Sequence, residues 1–138
     1  MIVDKNRLSK QLVKHEGMVL MPYRCTSNKL TIGVGRNLDD NGVTEAEAMY
    51  LLGNDITRAV EDCSNHFDWF HDMPIHVREA VVNLVFNMGV SRFSKFKKTI
   101  AFLKAEEWER AGVELLDSRY AEQTKGRAVE IANQIAGT

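Results

Sequence analysis

Apolar residues recur at helical spacing along most of the chain, and they alternate at period two in only one short segment. Asp4 to Glu16 reads as a helix with Leu8 and Leu12 on one side, stopped by Gly17 as a C-terminal cap. Pro22 prevents a helix from Val19 onward. Leu30, Ile32 and Val34 then alternate with Thr31 and Gly33, after the turn chemistry of Ser27-Asn28-Lys29, which predicts a small hairpin or meander. Beyond the polar loop Asn37 to Gly42, Thr44-Glu45-Ala46-Glu47 fits a capping box opening a long helix to about Cys63, with Gly53 as a point of bending or breakage. Pro74 stands near the start of a helix whose apolar face is Val77, Ala80, Val81, Leu84, Val85 and Met88. Trp108, Ala111, Leu115 and Leu116 form another such face, and Ala128, Ile131, Ala132 and Ile135 a last one. The pattern predicts an α+β chain, with a small β-containing lobe beside a larger helical lobe.

Composition narrows this picture without redirecting it. At 138 residues, 44% apolar and 27% charged, the chain has the size and make-up of one ordinary globular domain. A net charge of −1 does not indicate a general polyanion binder, so nucleic acid is not an expected partner. Charge is nevertheless uneven: Arg92, Lys95, Lys97, Lys98 and Lys104 share a stretch without an acid. They form either a solvated helix face or a basic rim facing an anionic polymer. Cys25 and Cys63 are too few for a disulfide scaffold, so either both are free thiols in a reducing compartment or one has a function. The polar start offers no apolar run for a signal peptide or a membrane span.

The candidate chemistry is concentrated between residues 16 and 36. Glu16 closes the first helix, where the partial negative charge of the terminal carbonyls disfavours a second negative charge and suits a protonated acid. Eight residues later comes Cys25, and five after that Thr31. Cys25 is able to orient water or, as a thiolate, to attack directly. Taken alone, a lone cysteine is more often a small buried hydrophobe. Thr31 has a hydroxyl that both donates and accepts, although threonine is also an ordinary strand former.

This Glu-x8-Cys-x5-Thr spacing resembles the catalytic triad of the phage-type lysozymes (endolysins), in which the middle position is Asp or Cys. Leu30-Thr31-Ile32-Gly33-Val34-Gly35 resembles the family's hairpin segment, with Arg36 where the family often has His. Leu84 to Gly89 resembles its cleft-wall helix, and Ser118-Arg119-Tyr120 with Gln123-Thr124-x-x-Arg127-Ala128 its C-terminal segment. The resemblance implies a lysozyme-like fold in which a long helix joins the two lobes. It further implies a single domain over 1–138, with the small lobe at about 17–52 and the helical lobe at 1–16 plus 53–138. The implied activity is hydrolysis of the β-1,4 bond between N-acetylmuramic acid and N-acetylglucosamine in bacterial peptidoglycan, leading to host cell lysis. Glu16 becomes the general acid, with Cys25 and Thr31 completing the catalytic set. Arg127 is to reach the catalytic glutamate, with Thr124 capping the last helix to aim it. Phe86, Asn87 and Thr99 are substrate-cleft candidates, and Arg36 is to pair with Asp55.

No metal or cofactor is expected. Asn37-x-Asp39-x-Asn41-Gly42 imitates half of a calcium loop, but its twelfth position is Ala48, so it reads as a capping loop. His66, His71 and His76 recur every five residues and do not share a helix face. The expected partner is peptidoglycan, met by a monomer made in the host cytoplasm and released across the inner membrane without inserting in it. A lytic transglycosylase and an inactive wall-binding module are the alternatives.

Overall fold

The computed structural model describes residues 2–137, and the chain divides after Tyr50 into two compact units. In the first, Asp4 caps helix α1 (Lys5–Glu16) by accepting from the Arg7 amide at 3.1 Å. Gly17 ends it with φ +77°, its amide bonded to the Val13 carbonyl at 2.8 Å. Leu8 and Leu12 share a side of α1 as predicted, yet neither is buried.

Strands β1 (Val19–Arg24), β2 (Leu30–Gly33) and β3 (Arg36–Asn37) form an antiparallel meander in that order. Tyr23 lies opposite Thr31 and Arg24 opposite Leu30, while the β1–β2 register is irregular between Val19 and Tyr23. Pro22 occupies that irregular stretch of an edge strand, where its missing donor does least harm. On the other side, Thr31 lies opposite Asn37 and Ile32 opposite Arg36. Helix α2 (Leu38–Asn41) follows, capped by the Asn37 side chain accepting from the Asp40 amide at 3.0 Å. Only Gly17 and Met18 separate α1 from β1, and α1 groups with the sheet.

Helix α3 (Glu45–His66) begins in the first unit and continues into the second, unbroken at Gly53. Its capping box forms as expected: the Glu47 amide donates to Thr44 Oγ1 at 3.1 Å, and Glu47 Oε1 accepts from the Thr44 amide at 2.8 Å.

The second unit carries the apolar core. Pro74 caps α4 (Ile75–Met88), which buries Val77, Ala80, Val81, Leu84 and Val85. Then come α5 (Val90–Phe93), α6 (Lys97–Lys104), α7 (Trp108–Leu116), α8 (Arg119–Thr124) and α9 (Gly126–Ala136). The predicted face of α9 is fully realised, with Ala128, Ile131, Ala132 and Ile135 all buried. Helices α7 and α9 approach so closely that a Cβ on Gly112 would sit 2.9 Å from the Ala132 carbonyl oxygen. Only glycine permits that backbone contact. Thr124 does not cap α9. Its hydroxyl donates back to the Tyr120 carbonyl at 2.9 Å, and Lys125, at φ +48°, separates α8 from α9. A threonine in the last turn of one helix satisfies its hydroxyl on that helix before it can serve the next.

Candidate active site

Glu16, Cys25 and Thr31 all fall in the first unit, and short-range bonds fix their placement. Glu16 is the last residue of α1. Its carboxyl lies against the β2–β3 connection, with Oε2 3.2 Å from where a Cβ on Gly35 would stand. Gly35 has φ +69°, so glycine here serves two needs: a left-handed backbone and room for the carboxyl.

Cys25 opens the turn between β1 and β2. Its amide donates to the Lys29 carbonyl at 3.0 Å, and its carbonyl accepts from the Asn28 amide at 2.8 Å. Asn28 takes the left-handed conformation, φ +59°, which asparagine tolerates better than most residues. The turn is folded around the sulfur. The Lys29 amide, then the Ser27 amide, hold the Cys25 thiol below its ordinary range against an opposing desolvation, and the Thr31 hydroxyl adds a lesser contribution. Thr31 is 3% exposed, in the central strand, and its Oγ1 donates to the Lys29 carbonyl at 2.8 Å. A hydroxyl has one proton, so Thr31 serves the Lys29 carbonyl or the sulfur but not both at once. Both cysteines are free. Cys25 is partly exposed, and Cys63 is buried, its thiol pushed up to about 12 by that burial.

One residue the sequence reading missed holds this turn from outside. Asp39 Oδ2 accepts from the Leu30 amide at 2.7 Å and from Arg24 Nη1 at 3.1 Å. It thereby grips the neighbours of Cys25 and Thr31 on both strands at once. Beside it, Asp40 takes Lys29 Nζ at 3.1 Å, a contact that holds its carboxyl below the usual carboxylate range. The signal available in sequence was an acidic pair in the first turn of a capped helix, which by itself indicates only helix capping.

Arg36 does not pair with Asp55. Its two terminal nitrogens engage Glu47 at 2.8 and 2.6 Å, and Nη1 also donates to the Gly42 carbonyl at 3.1 Å. The reason is helical rise: Asp55 lies eight residues, about 12 Å, further along α3 than Glu47. The Arg36 guanidinium, followed by the Thr44 amide, brings Glu47 down to about 2.

The remaining candidates belong to the second unit. Arg127 is held by Asn83, whose Oδ1 accepts from Nε at 3.1 Å and from Nη2 at 2.6 Å. Both line an apolar cavity of about 520 Å³ together with Ile56, Val60, Val82 and Phe86. Phe86 is 44% exposed and also borders a smaller cavity of about 310 Å³ with Asp55, Arg58 and Asp62. Asn87 is exposed next to it. Thr99 is 2% exposed, inside the helical core, which leaves its side chain no surface to offer a substrate.

Residues 13–132 match the family model described as phage lysozyme, and the chain belongs to that family. It is 26% identical to a protein of Dictyostelium discoideum called probable T4-type lysozyme 2, over 86% of this chain and 88% of that one. Probable T4-type lysozyme 1 of the same organism is 24% identical, over 91% and 92%. The chain is also 31% identical to the pre-baseplate central spike protein Gp5 of Enterobacteria phage T4, over 71% of its own length and 18% of the spike protein's.

Proposed function

We propose that this chain is a peptidoglycan hydrolase that cleaves the β-1,4 bond between N-acetylmuramic acid and N-acetylglucosamine, and that it serves host cell lysis. One observation carries the reading. The meander that seats the Glu16 carboxyl at Gly35 also brings Cys25, in the β1–β2 turn, within hydrogen-bond reach of Thr31 on β2. Glycoside hydrolysis needs an acid for the leaving oxygen and a second group that directs or becomes the nucleophile. Glu16 delivers its proton to the glycosidic oxygen as the bond to the anomeric carbon breaks. Cys25, with its charge stabilised by two amides and the Thr31 hydroxyl, serves the other role by taking a proton from water or by attacking the anomeric carbon. Phe86 and Asn87 are proposed as substrate contacts and Arg127 as a supporting cation. The enzyme is proposed to work as a monomer, made in the cytoplasm and released to the wall. No helix among the described residues is long and apolar enough to cross a membrane.

The test is mass spectrometry of digested peptidoglycan. Hydrolysis adds water and leaves a reducing muramic acid end. An anhydro end would mean a transglycosylase, and no new end a binding module. Cys25→Asp should retain substantial activity, because a carboxylate also directs water, whereas Cys25→Ala should lose most of it. The likeness to the central spike protein favours a second setting for the same chemistry, as part of a phage particle. Finding the protein in purified particles, not free in the lysate, would select that setting over host lysis.

A further inference from the structure

The basic stretch noted in the sequence acquires a geometry that the lysozyme reading does not use. Arg92 on α5 and Lys95 just after it meet Arg119 and Tyr120 on α8 around a cavity of about 560 Å³, closed by Phe96 and Ser118. Three cations line this cavity and no carboxylate does. Arg92 is oriented by a neutral partner, with Nη2 donating to Gln123 Oε1 at 3.1 Å. The guanidinium is therefore aimed without being neutralised. Ser118 is already committed, donating to the Leu115 carbonyl at 2.5 Å and accepting from the Ala121 amide at 3.2 Å. Tyr120 is different: it is 2% exposed, and its hydroxyl is buried with no hydrogen-bond partner among the described residues. A buried hydroxyl left unmatched in this way is uncommon in folded proteins.

We propose that this cavity binds a phosphate group, free or within an anionic polymer. Three like charges gathered around one space repel each other, and a bound anion reverses the sign of that interaction. The donors arrive from α5, from the turn after it and from α8, so they converge from several directions. That suits a tetrahedral oxyanion better than a planar carboxylate. Two guanidinium forks offer bidentate geometry and the lysine adds a compact charge. All six residues belong to the second unit, and none belongs to the catalytic set, so this proposal stands or falls separately from the hydrolytic one.

The experiment is an NMR titration of the arginine Nε–H signals with inorganic phosphate, at ionic strength held constant with chloride. Saturable shifts of Arg92 and Arg119 are expected. Arg119→Gln should weaken binding about tenfold or more, the scale of one charged hydrogen bond. Tyr120→Phe keeps the buried ring and removes only the hydroxyl, so a weakened affinity in that folded variant ties the site to the cavity. Glycerol 3-phosphate and poly(glycerol phosphate) separate the two sources, and saturation by either with the same Arg92 and Arg119 shifts supports the site. Shifts that chloride reproduces would overturn it. So would polymer binding indifferent to Arg119→Gln, which would assign the attraction to the exposed surface lysines Lys97 and Lys98.

Discussion

The two units are stabilised by different physics. Every buried apolar side chain among the described residues lies at or beyond Ala59, and the core of Val77, Leu84, Phe93, Leu103, Leu115 and Ile135 is wholly in the second unit. Among its described residues the first unit buries one side chain, Thr31, and that one is polar. Its order comes from directed bonds: Asp39 on both strands, Asp40 on Lys29, and Glu47 on Arg36 and the start of α3. The candidate catalytic residues sit in this polar unit. Apolar burial is the larger and less directional source of stability, whereas hydrogen bonds fix distances and angles. A reacting acid and thiol need the second kind of order. Substitutions should therefore separate cleanly, with activity sensitive in one unit and stability in the other.

The largest effect is expected from Glu16→Gln. It preserves size and hydrogen bonding but removes the transferable proton, and loss of a general acid costs roughly 10²–10⁴-fold. Wall-clearing rates should fall by that factor while the urea midpoint stays near wild type. A variant that clears walls normally would remove Glu16 from the mechanism. Leu84→Ala is the opposite probe. Truncating a fully buried leucine costs about 2–5 kcal/mol, read from denaturant unfolding, with kcat little changed in the fraction that remains folded. A loss below about 1 kcal/mol would mean that the helical core is looser than its burial implies.

Asp39→Ala should show an intermediate effect, on chemistry more than on fold. Removing this acceptor takes away two hydrogen bonds, each worth about 1 kcal/mol, and frees the neighbours of both Cys25 and Thr31. The Cys25 thiol should rise toward 9.0 as its turn loosens, and thiol titration against pH measures that directly. An unchanged Cys25 titration, with Leu30 amide exchange also unchanged, would show that Asp39 holds nothing in place.

The smallest effect concerns Arg36 and Glu47, which are about 40% exposed and solvent-screened. Glu47 is lowered from 4.5 to about 2. A carboxylate depressed in the folded state adds stability above its unfolded value and loses it as pH falls through the folded one. The urea midpoint difference between wild type and Glu47→Gln should thus hold above about pH 4.5, shrink below it and vanish near pH 2. A difference that stays constant across this range would show that the pair is not coupled to folding.

The local order of this chain was determined by its sequence. The apolar stripes of α4 and α9, the alternation of Leu30 and Ile32 with Thr31, the stop at Gly17 and the Thr44–Glu47 capping box all lie within a few residues of their causes. Backbone periodicity and cap chemistry act over that range. The Glu16, Cys25 and Thr31 spacing was legible for the same reason, since one helix end, one turn and the strand after it carry all three. Tertiary structure decided what required a choice among partners distant in the chain. Arg36 had several acids ahead of it and took Glu47, because helical rise carries Asp55 away. Thr99 looked like a polar cleft residue and is buried, because neighbouring helices close over it. Asp39 became the clamp on the Cys25 turn, and Arg119 joined Arg92 and Lys95 across 23 residues of intervening chain. A residue's type states which bonds it is able to make. Only the folded distances state which ones it makes.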